Sequence, residues 1–213
     1  GYNVTLPEGG IFKGDPAVAP GEDYTFEATD PDHYDYSDVK AKIDGNDVPV
    51  IDNGDGTYTI KVTSTGYNTP LEFTFTYKAD RTDLDKAIGA AEQLDQSAFT
   101  AVSWNAMSDA LSAAKTVQAN AAATDDDIAQ ALNALNSAVA NLAAKATDEA
   151  KSALASQIES AGAVKNDGYT DASWNDFQTA LDEAKQVAAS EDPSASEVAS
   201  AVDKLKATQD ALT

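Results

Sequence analysis

The chain has 213 residues, with 36 acidic against 14 basic side chains and a formal net charge of -22. It has no cysteine and one histidine, which excludes thiol catalysis, disulfides and metal sites built from several cysteines or histidines. Phosphate recognition needs clustered lysine and arginine, and a membrane span needs about 20 apolar residues, so the composition argues against nucleic-acid binding and membrane insertion.

The first predicted module covers residues 1–79 and is all β. Apolar and polar residues alternate with a period of two, which is typical of half-buried strands. The alternating segments are residues 24–28, 39–43, 58–62 and 71–77. Asp-Gly and Asn-Gly pairs at 44–47 and 52–56 supply the positive φ that hairpin turns require. Short strands with turns at this spacing predict a small β-sandwich.

The second predicted module, residues 80–146, is helical. Apolar residues recur at helical spacing in three stretches, with breaks expected near 95–100 and 120–124. Thr124 precedes three aspartates, and this pattern predicts a helix start, because the hydroxyl can cap the helix and the carboxylates face its positive end. Three amphipathic helices predict a three-helix bundle, with Trp104 and Leu111 as core residues.

The third predicted module, residues 147–213, repeats the second at an offset of 70 residues without a gap. Trp104 corresponds to Trp174, and Leu111 corresponds to Leu181. The two counterparts are therefore the expected core residues of a second three-helix bundle.

The junction between these two modules is rich in alanine. Neither glycine nor proline occurs from Asp125 to Ala161, and alanine has the highest helix propensity. Our interpretation is one continuous helix of about 36 residues that both bundles share, which would make the pair a stiff rod. The alternative is a break at Thr147, where Thr147-Asp148-Glu149 can cap a new helix.

The helical half resembles a known family. The pattern Phe-Thr-x-x-Ser-Trp at 99–104, with its counterpart Tyr-Thr-x-x-Ser-Trp at 169–174, resembles the FIVAR module, a three-helix repeat. The resemblance covers residues 81–213. FIVAR modules occur in large secreted or wall-anchored proteins of Gram-positive bacteria, beside glycoside hydrolases, sialidases, sugar-binding modules or adhesin repeats. Residues 1–79 resemble a small Ig-like surface-protein repeat.

These resemblances imply a multidomain chain, in which an Ig-like β-sandwich precedes two three-helix bundles in tandem. They imply an extracellular location, at the cell surface or wall. The expected function is that of a non-catalytic stalk or accessory segment, which spaces and presents a functional domain of a carbohydrate-active enzyme or adhesin. Its partners would be other domains of the same parent chain, and it is expected to be a monomer cut from something longer. The alternative is a module that binds a glycan or a host matrix protein.

The polar segment 30–38, expected to be a loop, carries all the candidate ligand-binding residues except Tyr67. Calcium takes oxygen ligands from carboxylates and carbonyls, and it is the one cofactor that this loop suggests. The candidate metal ligands are Asp30, Asp32, Asp35 and Asp38. Tyrosine rings can stack on sugars, and the candidates are Tyr34, Tyr36 and Tyr67. The alternative for the whole loop is a solvated connection between strands.

Overall fold

The computed structural model describes residues 2–32, 34–62 and 72–213. Within them a β-rich region precedes six α-helices, which confirms the predicted order of the modules. The strands are β1 (Tyr2–Asn3), β2 (Phe12–Gly14), β3 (Ala17–Val18), β4 (Tyr24–Ala28), β5 (Tyr34–Ile43), β6 (Asn46–Val48), β7 (Val50–Asp52), β8 (Thr57–Ile60) and β9 (Phe73–Ala79). The helices are α1 (Thr82–Glu92), α2 (Ala101–Ala119), α3 (Asp125–Ala140), α4 (Asp148–Gly162), α5 (Asp171–Ala189) and α6 (Ala195–Asp210).

The β-module is a sandwich of antiparallel sheets. One sheet has the strand order β2-β4-β8-β7 and another has the order β6-β5-β9, while β1 pairs with β3. Side chains from both larger sheets share one core, in which Phe26, Ile60 and Phe73 are almost completely buried. The alternation seen in the sequence therefore places one face of each sheet inside the sandwich.

The predicted turns connect neighbouring strands. Asp44 and Gly45 link β5 to β6 with positive φ at both residues, as a type I′ turn requires. The 52–56 turn links β7 to β8, and there the N–H of Asn53 donates to the carbonyl of Thr57 at 3.0 Å. Both hairpins are thus set by local sequence.

By its contacts the chain divides into two compact units, each considered by itself. One unit comprises Gly1–Gly89 and Ser112–Ala134, and the other comprises Ala90–Leu111 and Leu135–Thr213. The module boundaries after residues 79 and 146 stay a sequence-based prediction.

Helices α4, α5 and α6 pack against one another as the predicted second bundle. Their core is formed by Leu154 of α4, Phe177 and Leu181 of α5, and Leu205 of α6. In α1–α3 the equivalent stripes are also buried, with Leu84, Met107 and Leu135 inaccessible to solvent. The 70-residue repeat in the sequence is therefore a repeat of buried helix faces.

The predicted continuous helix between the repeats is wrong. Helix α3 ends at Ala140, and α4 begins at Asp148 with the Thr147 side chain accepting the N–H of Ala150. The seven residues between them form isolated β-bridges through Ala144 and Lys145 instead. These bridges replace the helical hydrogen bonds that the segment forgoes, so the high helix propensity of alanine does not decide its conformation.

Candidate functional site

Tyr36 belongs to the core of the sandwich rather than to an exposed platform. Its residue is 9% exposed, and its hydroxyl donates to the carbonyl of Ile11 at 2.9 Å and accepts the N–H of Asp30 at 3.1 Å. Burial raises the pKa of Tyr36 above its ordinary value. The hydroxyl therefore ties Asp30 to the core, and the ring offers no free face for a sugar. Residues 34–38, which the sequence suggested as part of a loop, belong to β5 instead.

Of the other two candidate tyrosines, Tyr34 packs against neighbouring aromatic rings. Tyr34 is half-buried, and its ring contacts the ring of Tyr77 edge to face, with centroids 5.1 Å apart. Tyr67 lies outside the described residues. Tyr34 and Tyr36 lie two residues apart on β5, so strand periodicity itself indicated that they share a face.

The four candidate aspartates are not gathered into a ligand set. Asp35 accepts the backbone N–H of Ser37 at 2.9 Å, and hydrogen bonds from the Ser37 side chain and backbone hold the pKa of Asp35 below its ordinary value. Asp38 lies 4.0 Å from the exposed Lys40 ammonium. Across residues 2–32, 34–62 and 72–213, no three acidic, histidine or cysteine side chains are placed to hold a metal ion. The calcium site stays a prediction from the sequence.

The two tryptophans are half-buried and have equivalent aromatic neighbours. Trp104 stacks on Phe99 with centroids 6.1 Å apart, and Trp174 stacks on Tyr169 at 6.2 Å. Of the two leucines expected in the core, Leu181 is buried and Leu111 is half-buried. Each aromatic pair thus joins the first turn of a second helix to the aromatic residue that precedes that helix.

Sequence reasoning missed a backbone ladder between the two helical repeats, which we call the inter-repeat joint (residues 98–101, 143–147 and 192–195). The N–H of Lys145 donates to the carbonyl of Ala98 at 3.0 Å, on the side of the first repeat. On the other side, the N–H of Ala195 donates to the carbonyl of Ala144 at 2.8 Å, and the N–H of Ala146 donates to that of Pro193 at 3.0 Å. The segment after α3 is thus held between both repeats like a short central strand.

Side chains strengthen the inter-repeat joint. A carboxylate oxygen of Asp192, from the second repeat, accepts the N–H of Ala101 at 2.6 Å in the first turn of α2. Thr100 and Ser194 are both buried there, at 7% and 6% exposed. Ser194 also forms a capping box with Glu197 at the start of α6. The signals in the sequence were Pro193, which is unfavourable inside a helix, and Thr147, a residue type that favours the start of one.

A second joint links the β-module to the helices through Arg81, the one arginine of the chain. Arg81 is 5% exposed, and its guanidinium donates to three carbonyls. These are the carbonyls of Ala79 at 2.6 Å, Gln118 at 3.2 Å and Asn120 at 2.5 Å. Ala79 ends β9, whereas Gln118 lies in the last turn of α2 and Asn120 directly follows that helix. One side chain therefore ties the strand to the helix and places a positive charge at the negative end of the helix. We call this contact the Arg81 clamp.

The helical half matches a known family over most of its length. The FIVAR domain matches residues 80–143 and again 150–213, which together are more than half of the chain. The chain therefore belongs to the FIVAR family, in two tandem copies, and this confirms the resemblance noted from the 99–104 and 169–174 motifs.

Two curated proteins of Gram-positive bacteria are similar to the chain. One is the zinc metalloprotease ZmpB of Streptococcus pneumoniae, 31% identical over 133 residues, which are 62% of this chain and 7% of that protein. The other is the polysaccharide lyase 8 family protein HylA of Enterococcus faecalis, 34% identical over 139 residues, which are 65% of this chain and 10% of that protein. The chain thus spans a tenth or less of these relatives.

Among solved structures, the CBM51-2 and INT domains of ZmpB from Clostridium perfringens match 75% of this chain and 35% of that one. The identity is 19% and the TM-score is 0.30. In the part of the chain that the structure describes, no helix is both long and apolar enough to cross a membrane.

Proposed function

We propose that this chain is a non-catalytic accessory segment of a large extracellular protein of a Gram-positive bacterium, where it spaces and presents a functional domain. Its family and its small share of two enzyme relatives support an accessory role. A net charge of -22 keeps such a segment soluble and disfavours self-association. Its partners would be the neighbouring domains of the same parent chain.

The inter-repeat joint is the observation that carries this proposal. A flexible linker of a few residues would let the repeats reorient freely, but here both neighbours of Ala144–Ala146 hold the connection by backbone hydrogen bonds. Reorientation would break several bonds at once and expose Thr100 and Ser194. A joint of this kind keeps a fixed angle between successive repeats, as a spacer requires.

The test measures how rigid the inter-repeat joint is in the full chain. Because the chain has no cysteine, Asp109→Cys and Asp182→Cys provide two spin-label sites on exposed helix positions at either side of the joint. We expect electron-electron resonance to give one narrow distance distribution. A broad distribution in the otherwise unaltered chain would overturn the proposed spacer function.

One substitution should loosen the inter-repeat joint without damaging a helix. Ala195 is the first residue of α6, a position where proline is well tolerated, and Ser194 already has the extended conformation that a following proline favours. Ala195→Pro removes only the N–H that donates to Ala144, so the distance distribution should broaden. The matched control is Asp171→Pro, which places proline at the first residue of α5, where no bond of the ladder is lost.

Binding to a glycan or a host matrix protein is the weaker alternative. The burial of Tyr36 removes one of the three proposed stacking rings, and Tyr34 is half-buried. A glycan and matrix-protein array, with calcium and with chelator, distinguishes the two functions. A specific ligand lost in Tyr34→Ala would favour the binding role.

A further inference from the structure

The second helical repeat ends in the same hydrogen-bonded arrangement as the first. In the first repeat, the N–H of Thr100 donates to the carbonyl of Ala143 at 2.8 Å, and the Ser103 hydroxyl accepts the N–H of Ala143 at 3.1 Å. In the second repeat, the N–H of Thr170 donates to the backbone oxygen of Thr213 at 2.6 Å, and the Ser173 hydroxyl accepts the N–H of Thr213 at 3.2 Å. Each repeat therefore holds its tail beside the start of its own second helix.

The two ends differ in what lies against them. In the first repeat, the loop before α6 covers the end through Asp192 and Ala195, and Thr100 is buried. In the second repeat, Thr170 and Ser173 edge a groove of about 370 Å³. Thr170 is exposed there. We call the surface formed by residues 170–173 and 211–213 the end face.

We propose that the end face is a docking surface for a further three-helix module of the same family. This inference deepens the proposed spacer function, because it names the kind of module that continues the array. The partner would contribute the loop before its third helix, as residues 192–195 do at the inter-repeat joint. The backbone part of such a contact does not depend on side-chain identity. Residues that follow Thr213 would take the place of residues 144–146, and the N–H of Asp171 would take the place of the Ala101 N–H.

Charge specifies the partner loop more closely. At the inter-repeat joint, Asp192 approaches Ala101, whereas the end face has Asp171 at that position and Asp176 on the groove lining. An aspartate arriving there would meet two carboxylates, and Lys204 on the same lining is already paired with Glu183 at 2.5 Å, so repulsion would weaken the contact. A partner that fits the end face therefore carries a neutral or basic residue at the place of Asp192.

The experiment extends the full chain with a second copy of residues 144–213 placed directly after Thr213. In this copy the aspartate that corresponds to Asp192 is replaced by asparagine. We expect the amide that corresponds to Ala146 to exchange its hydrogen at least ~10-fold more slowly than in a matched extension, in which a long Gly/Ser linker is inserted between Thr213 and the copied residue 144. Restoring the aspartate should speed this exchange, and adding Asp171→Ala should slow it again.

The native Ala146 amide serves as the internal reference. If the added amide exchanges as in an unstructured peptide while the native Ala146 stays protected, the end face is not a docking surface, and the proposed spacer function survives. If the native Ala146 also exchanges rapidly, the spacer function fails as well. Equal protection with asparagine and aspartate in the copy would overturn the charge rule for the partner.

Discussion

The two helical repeats share one architecture, yet equivalent residues in them have different surroundings. Thr100 and Thr170 precede equivalent helices and donate to equivalent tail carbonyls, but Thr100 is buried and Thr170 is exposed. The difference arises because the loop of the second repeat covers the end of the first. The comparison teaches that the repeated sequence determines each helix bundle, whereas the adjoining module determines which polar residues are buried.

The cores offer the sharpest test of how equivalent the repeats are. Phe177 corresponds to Met107, and neither side chain is accessible to solvent. Phe177→Ala should cost its repeat about 3–5 kcal/mol and Met107→Ala about 2–5 kcal/mol, because each leaves a cavity. Native-state hydrogen exchange in α5 and α2 measures the two losses separately. Asn175→Ala, on the exposed side of α5, is the control, and a loss below about 1 kcal/mol for Phe177→Ala would contradict the assigned core.

Arg81 and Lys151 occupy equivalent positions in the two repeats, but their surroundings differ strongly. Arg81 is buried in the clamp, whereas Lys151 is exposed. Arg81→Met keeps the apolar stem but leaves three carbonyls without their charged donor, so it should cost about 1.5–3 kcal/mol and speed exchange at the end of α2. Lys151→Met should change stability by less than about 0.5 kcal/mol. Equal effects of the two substitutions would show that the clamp contributes nothing of its own.

The two capping boxes differ in location, because one lies inside the inter-repeat joint and the other lies outside it. Ser194 and Glu197 form a reciprocal pair, as do Thr124 and Asp127. Only Ser194 is buried. Ser194→Ala should cost about 1–2 kcal/mol and Thr124→Ala about 0.5–1 kcal/mol, measured by exchange in the first turns of α6 and α3. The reverse order would show that burial at the inter-repeat joint does not strengthen the cap.

The smallest effect concerns Gly89, which lies inside α1 where the second repeat has Glu159. A Cβ at Gly89 would meet no atom within 4 Å. Gly89→Ala should therefore stabilise α1 by about 0.5–1 kcal/mol, because it restricts the unfolded chain without a clash. Glu159→Ala is the control and should be nearly neutral. A destabilisation by Gly89→Ala, seen in urea unfolding followed by circular dichroism, would contradict the open space around this position.

The candidate ligand-binding segment, residues 30–38, shows what local sequence patterns can and cannot predict. Alternation along the β-module predicted strands such as β4 correctly, and the same alternation places Tyr34 and Tyr36 on one face. Polarity and aromatic content alone suggested a ligand site there, but whether a tyrosine is exposed depends on the opposite sheet. The carbonyl of Ile11, 25 residues away in the chain, accepts the Tyr36 hydroxyl, and no local pattern contains such a contact.

The sequence by itself determined the helix starts, the apolar stripes, the hairpin turns and the duplication, because each depends on residues within a few positions of one another. Thr147, Ser194 and the Asp44-Gly45 turn are such local features. Only the tertiary structure decided that the chain leaves the helix after Ala140. The N–H and C=O groups of residues 143–146 can be satisfied by a helix or by neighbouring backbone, and the helix preference of alanine is below about 1 kcal/mol per residue. Hydrogen bonds to Ala98, Pro193 and Ala195, which require both repeats to be folded, outweigh that preference.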